Sequence, residues 1–252
     1  MPNISSTGPS DIQPHTLRNR TVVVVGGTSG IGLSTAIQAK AAGAKVFVIG
    51  SNPERARQAA HTHELDGWRA ADVTQPEHIQ AALADIPKVD HLVLLAGTFV
   101  AGKILEADVA YLHRAFDERI WASVHALRAL GDRLSKDGSV TFISGSLADR
   151  PNAYGTAVLA AASAAMEAFA RGLALELAPV RVNTLSPGPI DTPILTKAMG
   201  EARDGFVAAL EQTLPLHRLG TADEAAAAVL FLMTNGFMNG ATINVDGGAR
   251  LV

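Results

Sequence analysis

The chain has 252 residues, 48% of them apolar, and a formal net charge of −3. That length and composition suit one α/β domain with a substantial core and exclude a disordered chain. The small negative charge gives no general attraction to nucleic acid or to an anionic membrane, and the absence of cysteine excludes a disulfide framework and thiolate chemistry.

Residues 1–15 are rich in Ser, Pro, Asn and Thr and carry no apolar core of signal-peptide type. They are expected to form a flexible tail ahead of one domain, 16–252. With no cysteine and no leader pattern, a cytoplasmic protein is expected. Thr21–Val25 reads as a β-branched strand that stops at Gly26-Gly27, and a helix is expected over Gly30–Ala42. Lys45–Ile49, Trp68–Ala71, His91–Leu95, Val140–Ile143, Val180–Thr184 and Thr242–Val245 read as further buried strands. Helical stretches separate them: Glu54–His61, Pro76–Ala84, Val109–Leu134, Thr156–Leu177 and Ala222–Met233. The segment 192–220 is expected to be a helical lid. Within the helical stretches, Ala157–Met166 is the longest apolar run; interrupted by Ser163 and ended by Glu167, it is expected to be too short to span a bilayer. Alternating strands and helices predict a doubly wound parallel sheet of about seven strands, with helices on both faces.

Gly26-Gly27-Thr28-Ser29-Gly30-Ile31-Gly32 falls between the first strand and the first helix. Glycines at 26, 30 and 32 allow a tight turn and close approach to a pyrophosphate, which the helix start would then hold by free N–H groups. A tight strand-to-helix turn is the alternative. This glycine spacing resembles that of the short-chain dehydrogenases/reductases. The likeness continues through Asp72-Val73, Ala96-Gly97, Arg181-Val182-Asn183, Pro187-Gly188 with Ile190 and Thr192, Arg218-Leu219-Gly220 and Val245-Asp246-Gly247-Gly248. It implies a single-domain Rossmann fold and a nicotinamide cofactor. Asp72-Val73 would meet the adenine, Ala96-Gly97 would contact the cofactor, and 187–192 would lie on the nicotinamide side. Where the family pattern has two asparagines before Ala-Gly, this chain has Leu94 and Leu95.

The second strand ends in Gly50-Ser51-Asn52, with no carboxylate before Glu54. A ribose 2′-phosphate would meet no repulsion there. Ser51 and Asn52 can donate hydrogen bonds, and Arg55 or Arg57 can supply charge. NADP(H) is therefore expected rather than NAD(H). A solvated helix face is the alternative role for the two arginines.

Arg171, Leu173-Ala174 and Glu176 match the family pattern after its catalytic Lys. Counting back places that Lys at Ser163 and the family Tyr at Leu159. The family's helper Asn falls near Ser123, and its Ser falls at Ser146, with a shift to Gly145 left open. Reducing a ketone makes an alkoxide that needs a proton, which Leu159 and Ser163 cannot supply. An iminium ion accepts hydride without a further proton and needs an anionic or dipolar pocket instead. Substitute groups are Ser146, Asp149, Tyr154 and Arg119, with an Asp149–Arg119 pair expected to orient substrate or steady a cation. Each has a plainer alternative: a turn for Ser146 and Asp149, packing for Tyr154, a surface charge for Arg119. The loop Asp149–Tyr154 is similar to that of a divergent branch of the family. Some fungal members of that branch reduce cyclic imines with NADPH in indole-alkaloid pathways, and some also shape a later cycloaddition.

His61-x-His63 lacks a third partner, so no metal site is expected. Trp121 is expected to pack on the long helix, and His125 to sit in the core or an interface. The leading expectation is an atypical NADP(H)-dependent reductase of a small cyclic imine or carbonyl compound. The alternatives are a nucleotide-binding protein without turnover and a non-redox enzyme that keeps the pocket. The resemblance also implies a homodimer or homotetramer, with no nucleic-acid or membrane partner.

Overall fold

A computed structural model describes residues 16–252; the expected tail, 1–15, lies outside the described residues. Val22 and Val24 of strand β1 (Thr21–Val25) face one side of the sheet, and Val23 and Val25 face the other. All four are buried because helices cover both faces. Each such side chain contributes roughly 1.5–3 kcal/mol through burial.

The other strands of this sheet are β2 (Lys45–Gly50), β3 (Gly67–Ala70), β4 (Val89–Leu94), β5 (Leu134–Ile143), β6 (Arg181–Pro187) and β9 (Thr242–Val245). They pair in the order β3-β2-β1-β4-β5-β6-β9, all parallel. The order reverses between β1 and β4, which opens a crevice at the carboxyl edge of the sheet. Helices α1 (Gly30–Ala41), α2 (Pro53–Thr62) and α9 (Ala222–Thr234) contribute to the core on one face. Helices α3 (Pro76–Leu83), α5 (Ala122–Leu130) and α6 (Ala157–Glu176) contribute to the other.

Three elements depart from expectation. The long helix expected over 109–134 is α4 (Val109–Phe116), a π-turn (Asp117–Trp121), α5 and a 3₁₀ turn ending at Arg133, and Leu134 already belongs to β5. Trp121 is 54% exposed rather than packed, because the π-turn carries it outward. Helix α6 runs 20 residues and is long and apolar enough, by length and composition, to cross a membrane. This corrects the expectation drawn from 157–166 alone. Its Met166, Ala170, Leu173 and Ala174 pack in the core of this domain.

The segment expected to be a lid contains α7 (Pro193–Met199) and α8 (Arg203–Thr213), neither of which buries a residue. Its base is a two-stranded parallel ribbon, β7 (Ile190–Asp191) with β8 (Gly220–Thr221).

Candidate active site

Gly26 has φ +83°, and a Cβ there would lie 2.7 Å from the Ala96 nitrogen. Glycine thus lets the first turn seat against the end of β4. Gly30 has φ +51°, and a Cβ there would lie 3.2 Å from Thr192 Cβ. These contacts bring the expected residues Gly26, Gly30, Ala96 and Thr192 to one place. Ser29 caps α1 with extended backbone and no side-chain hydrogen bond, and the first helical turn holds no acidic residue. Its N–H groups and positive dipole end suit an anion.

At the end of β2, Ser51, Asn52 and Arg55 are exposed. Asn52 Oδ1 accepts from the Arg55 nitrogen at 2.8 Å, capping α2. Arg57 is held by Glu54 at 2.6 Å, whereas Arg55 makes no ion pair among the described residues. Asp72 accepts from the Thr74 nitrogen at 2.9 Å and from Thr74 Oγ1 at 2.8 Å. These bonds hold its carboxyl below the ordinary range.

The π-turn turns Arg119 toward the end of β4. Nη2 donates to the Thr98 carbonyl at 3.1 Å and Nη1 to the Ala115 carbonyl at 3.3 Å. Nε is buried with no hydrogen-bond partner. Burial pushes the guanidinium below its ordinary value, against the pull of Glu118. A small cavity beside it is lined by Val73, Ala96, Ser123, Ile143 and Met166. Arg119 also lies against Gly97, where an added Cβ would meet Cζ at 3.1 Å. Ser123, expected near the helper position, spends its hydroxyl on the Arg119 carbonyl at 2.6 Å. Arg119 is therefore the polar side chain that this helix offers to the site.

The expected Asp149–Arg119 pair is not formed. A 3₁₀ turn, Ser146–Ala148, carries Asp149 outward, and its Oδ2 lies 3.6 Å from Arg250 Nη1. Arg250 also donates to Asp246 at 3.0 Å. Tyr154 is 78% exposed. Asn152 Oδ1 accepts from the Tyr154 nitrogen at 2.9 Å, and the Gly102 nitrogen donates to the Gly155 carbonyl at 2.8 Å, so the backbone is pinned while the phenol points to solvent. Ser146 is half-buried at the start of the 3₁₀ turn. Leu159 and Ser163 are 4% and 3% exposed. Ser163 Oγ lies 3.9 Å from the Cβ position of Gly145, so this part of α6 backs the loop after β5.

Two carboxylates escaped the sequence reading. Glu118 is buried and accepts from Thr98 Oγ1 at 2.8 Å. Glu167 accepts from Ser144 Oγ at 2.7 Å. Glu118 had one available signal, Arg114 four residues earlier on the helix, which bonds it at 2.9 Å. Among the described residues, no group of three His, Cys, Asp or Glu side chains is placed to hold a metal.

The family profile described as enoyl-(acyl carrier protein) reductase matches residues 25–250. The short-chain dehydrogenase/reductase ATR9 of Stachybotrys chlorohalonatus (strain IBT 40285) is 33% identical over 260 residues, 94% of this chain and 99% of that one. The chain belongs to the short-chain dehydrogenase/reductase family. The family consists of oxidoreductases, and the sheet order and the glycine turn are those expected for it. A small-chain dehydrogenase solved in complex with NADPH is similar at 35% identity and a TM-score of 0.81, covering 92% of this chain and 99% of that one. An NADPH-bound short-chain oxidoreductase of Pseudomonas aeruginosa PAO1, described as containing an atypical catalytic center, is similar at 27% identity and a TM-score of 0.85. That match covers 93% of this chain and 98% of the other.

Proposed function

We propose that this chain is an NADP(H)-dependent reductase of a small carbonyl compound or neutral imine, with Arg119 in place of the family's usual proton-handling pair. The observation that carries the reading is Arg119, half-buried at the helix break beside Gly97, with its Nε buried and unanswered. A buried donor without a partner costs about 1–3 kcal/mol, which a bound ligand can recover. Resemblance to NADPH-bound relatives, one of them with an atypical catalytic center, supports the same reading.

The residues suit the cofactor. Gly26, Thr28, Ser29, Gly30, Ile31 and Gly32 would hold its pyrophosphate on the start of α1. Ser51, Asn52 and Arg55 would meet the 2′-phosphate, and Asp72 and Val73 the adenine. Ala96, Gly97, Pro187, Gly188, Ile190 and Thr192 would flank the nicotinamide. Bound NADPH supplies a hydride. Arg119 would donate a charge-assisted hydrogen bond to the substrate atom that gains negative charge. Ser146 would donate a second hydrogen bond and orient the substrate. Leu159 and Ser163 offer neither phenol nor amine, so the final proton comes from solvent or from a hydroxyl such as Ser146.

With Asp149 turned toward Arg250, the guanidinium favours an acceptor that becomes negative over a preformed iminium cation. Asp149 and Tyr154 then act at the rim. NADPH oxidation measured against a panel of ketones, cyclic imines and iminium salts tests this. Turnover of neutral acceptors is the expected outcome. Tight NADPH binding with no turnover across the panel would favour a silent nucleotide-binding protein, and turnover confined to iminium salts would overturn the role of Arg119.

The outward face of α6 exposes Ala161, Ala164, Ala168 and Gly172. Small residues there allow a second helix to approach closely, which supports the homodimer or homotetramer that the family resemblance implies. A monomeric mass in light scattering at working concentration would contradict it.

A further inference from the structure

Building on the Arg119 reading, we infer that Glu118 is the residue that positions Arg119, and that it acts through Thr98. Glu118 Oε2 accepts from the Thr98 nitrogen at 2.5 Å and from Thr98 Oγ1 at 2.8 Å. The carbonyl of the same Thr98 accepts from Arg119 Nη2 at 3.1 Å. Thr98 is thus gripped on its donors by the carboxylate, and its carbonyl is left aimed at the guanidinium. Glu118 Oε1 is held from the outside by Arg114, at 2.9 Å to Nε and 2.5 Å to Nη2.

Consecutive residues of a regular α-helix diverge by about 100°, which sets neighbours poorly to serve one short loop. The wider π-turn at Asp117–Trp121 lets Glu118 and Arg119 do so. A carboxylate that is only 6% exposed is costly to keep unless its oxygens are bonded. Here Oε1 is bonded by Arg114 and Oε2 by Thr98, so one oxygen anchors the carboxylate and the other holds the segment whose carbonyl meets the Arg119 fork. Errors of about 1 Å in such a group cost roughly a hundredfold in rate.

The test uses the full chain loaded with NADPH. Glu118→Gln, Arg119→Met and the double variant are compared for turnover, KM, NADPH affinity and thermal midpoint. The Arg119 Nε–H proton resonance, identified by its loss in Arg119→Met, is followed as well. Glu118→Gln is expected to lower kcat roughly 10–100-fold, with KM and NADPH affinity held within about threefold. It is also expected to shift the Nε–H resonance, speed its exchange with solvent, and cost nothing further in the Arg119→Met background. If Glu118→Gln fails to fold, Thr98→Val removes one of the two bonds with little change of shape and should move the same resonance less. An unmoved resonance overturns the inference. So does a kcat loss that recurs in full in Arg119→Met, or one that only follows a fall in thermal midpoint and NADPH affinity. Should Arg119→Met itself turn over normally, the functional reading fails while the resonance still decides the positioning.

Discussion

At the amino-terminal edge of the sheet, Asp90 accepts from the Thr21 nitrogen at 2.9 Å, Ser135 Oγ at 2.8 Å and Arg20 at 3.2 Å, and pairs with Lys88 at 2.9 Å. His91 beside it bonds Ser139 Oγ at 2.8 Å. At the carboxyl edge, Arg119 and Arg203 each keep a buried Nε with no partner, and the lid helices bury nothing. A cleft of about 680 Å³ opens at the amino-terminal edge, whereas the cavity beside Arg119 is small. On the proposed reading, the site is marked by the unanswered Arg119 donor and not by cavity size. One edge has its charged groups fully bonded, and the other leaves a donor of Arg119 unanswered among groups that are otherwise paired.

This contrast can be broken from either side. Asp90→Ala should cost about 3–4 kcal/mol, at the low end for a buried charge cluster because Arg20 and Lys88 are partly solvated. Denaturant unfolding would show that loss with NADPH affinity intact. A parallel loss of affinity would mean that the two edges are coupled. Arg119→Met should behave oppositely. Turnover falls roughly 10²–10³-fold, while the unfolding midpoint changes little, because removing an orphaned donor offsets the loss of the bonds to Thr98 and Ala115.

His91 gives a pH signature confined to the stable edge. Burial, with Arg181 and Arg20 nearby, pushes its imidazole from 6.5 down to about 4. Between those values the unfolded chain binds a proton that the folded chain refuses. The contribution is therefore present above pH 6.5 and lost as pH falls toward 4, to a limit of about 3 kcal/mol. His91→Gln should flatten that slope in thermal unfolding between pH 7 and pH 4, and an unchanged slope would assign it to other groups. The smallest effect belongs to the cofactor rim. Arg55→Ala should weaken NADPH by roughly tenfold, about 1.4 kcal/mol, and leave NADH unchanged in a binding titration.

Much of the fold was legible because buried parallel strands are written as β-branched runs with Gly or Pro punctuation. The glycine turn and the family motifs were equally plain. The lower half of β5, Leu134-Ser135-Lys136-Asp137-Gly138-Ser139, carries no buried-strand pattern: Leu134 pairs with Val89 and Ser139 with His91 and Arg181, while 135–138 lie at a shift of register. The π-turn has no residue signature, so the long helix looked continuous from 109 to 134. Asp149 was misplaced for a related reason. Its partner, Arg250, lies a hundred residues away in the sequence and near the chain's end. Glu118 was missed because its partner, Thr98, lies twenty residues earlier on a loop that only the fold brings to it.

The β7–β8 ribbon pairs Ile190 with Gly220 and Asp191 with Thr221, so the excursion between them leaves and rejoins the domain side by side. Its ends are already closed, and added length there costs only a slow, logarithmic entropy. The helices of this excursion, 193–213, thus form a cassette whose length can change without disturbing the register of any strand beneath.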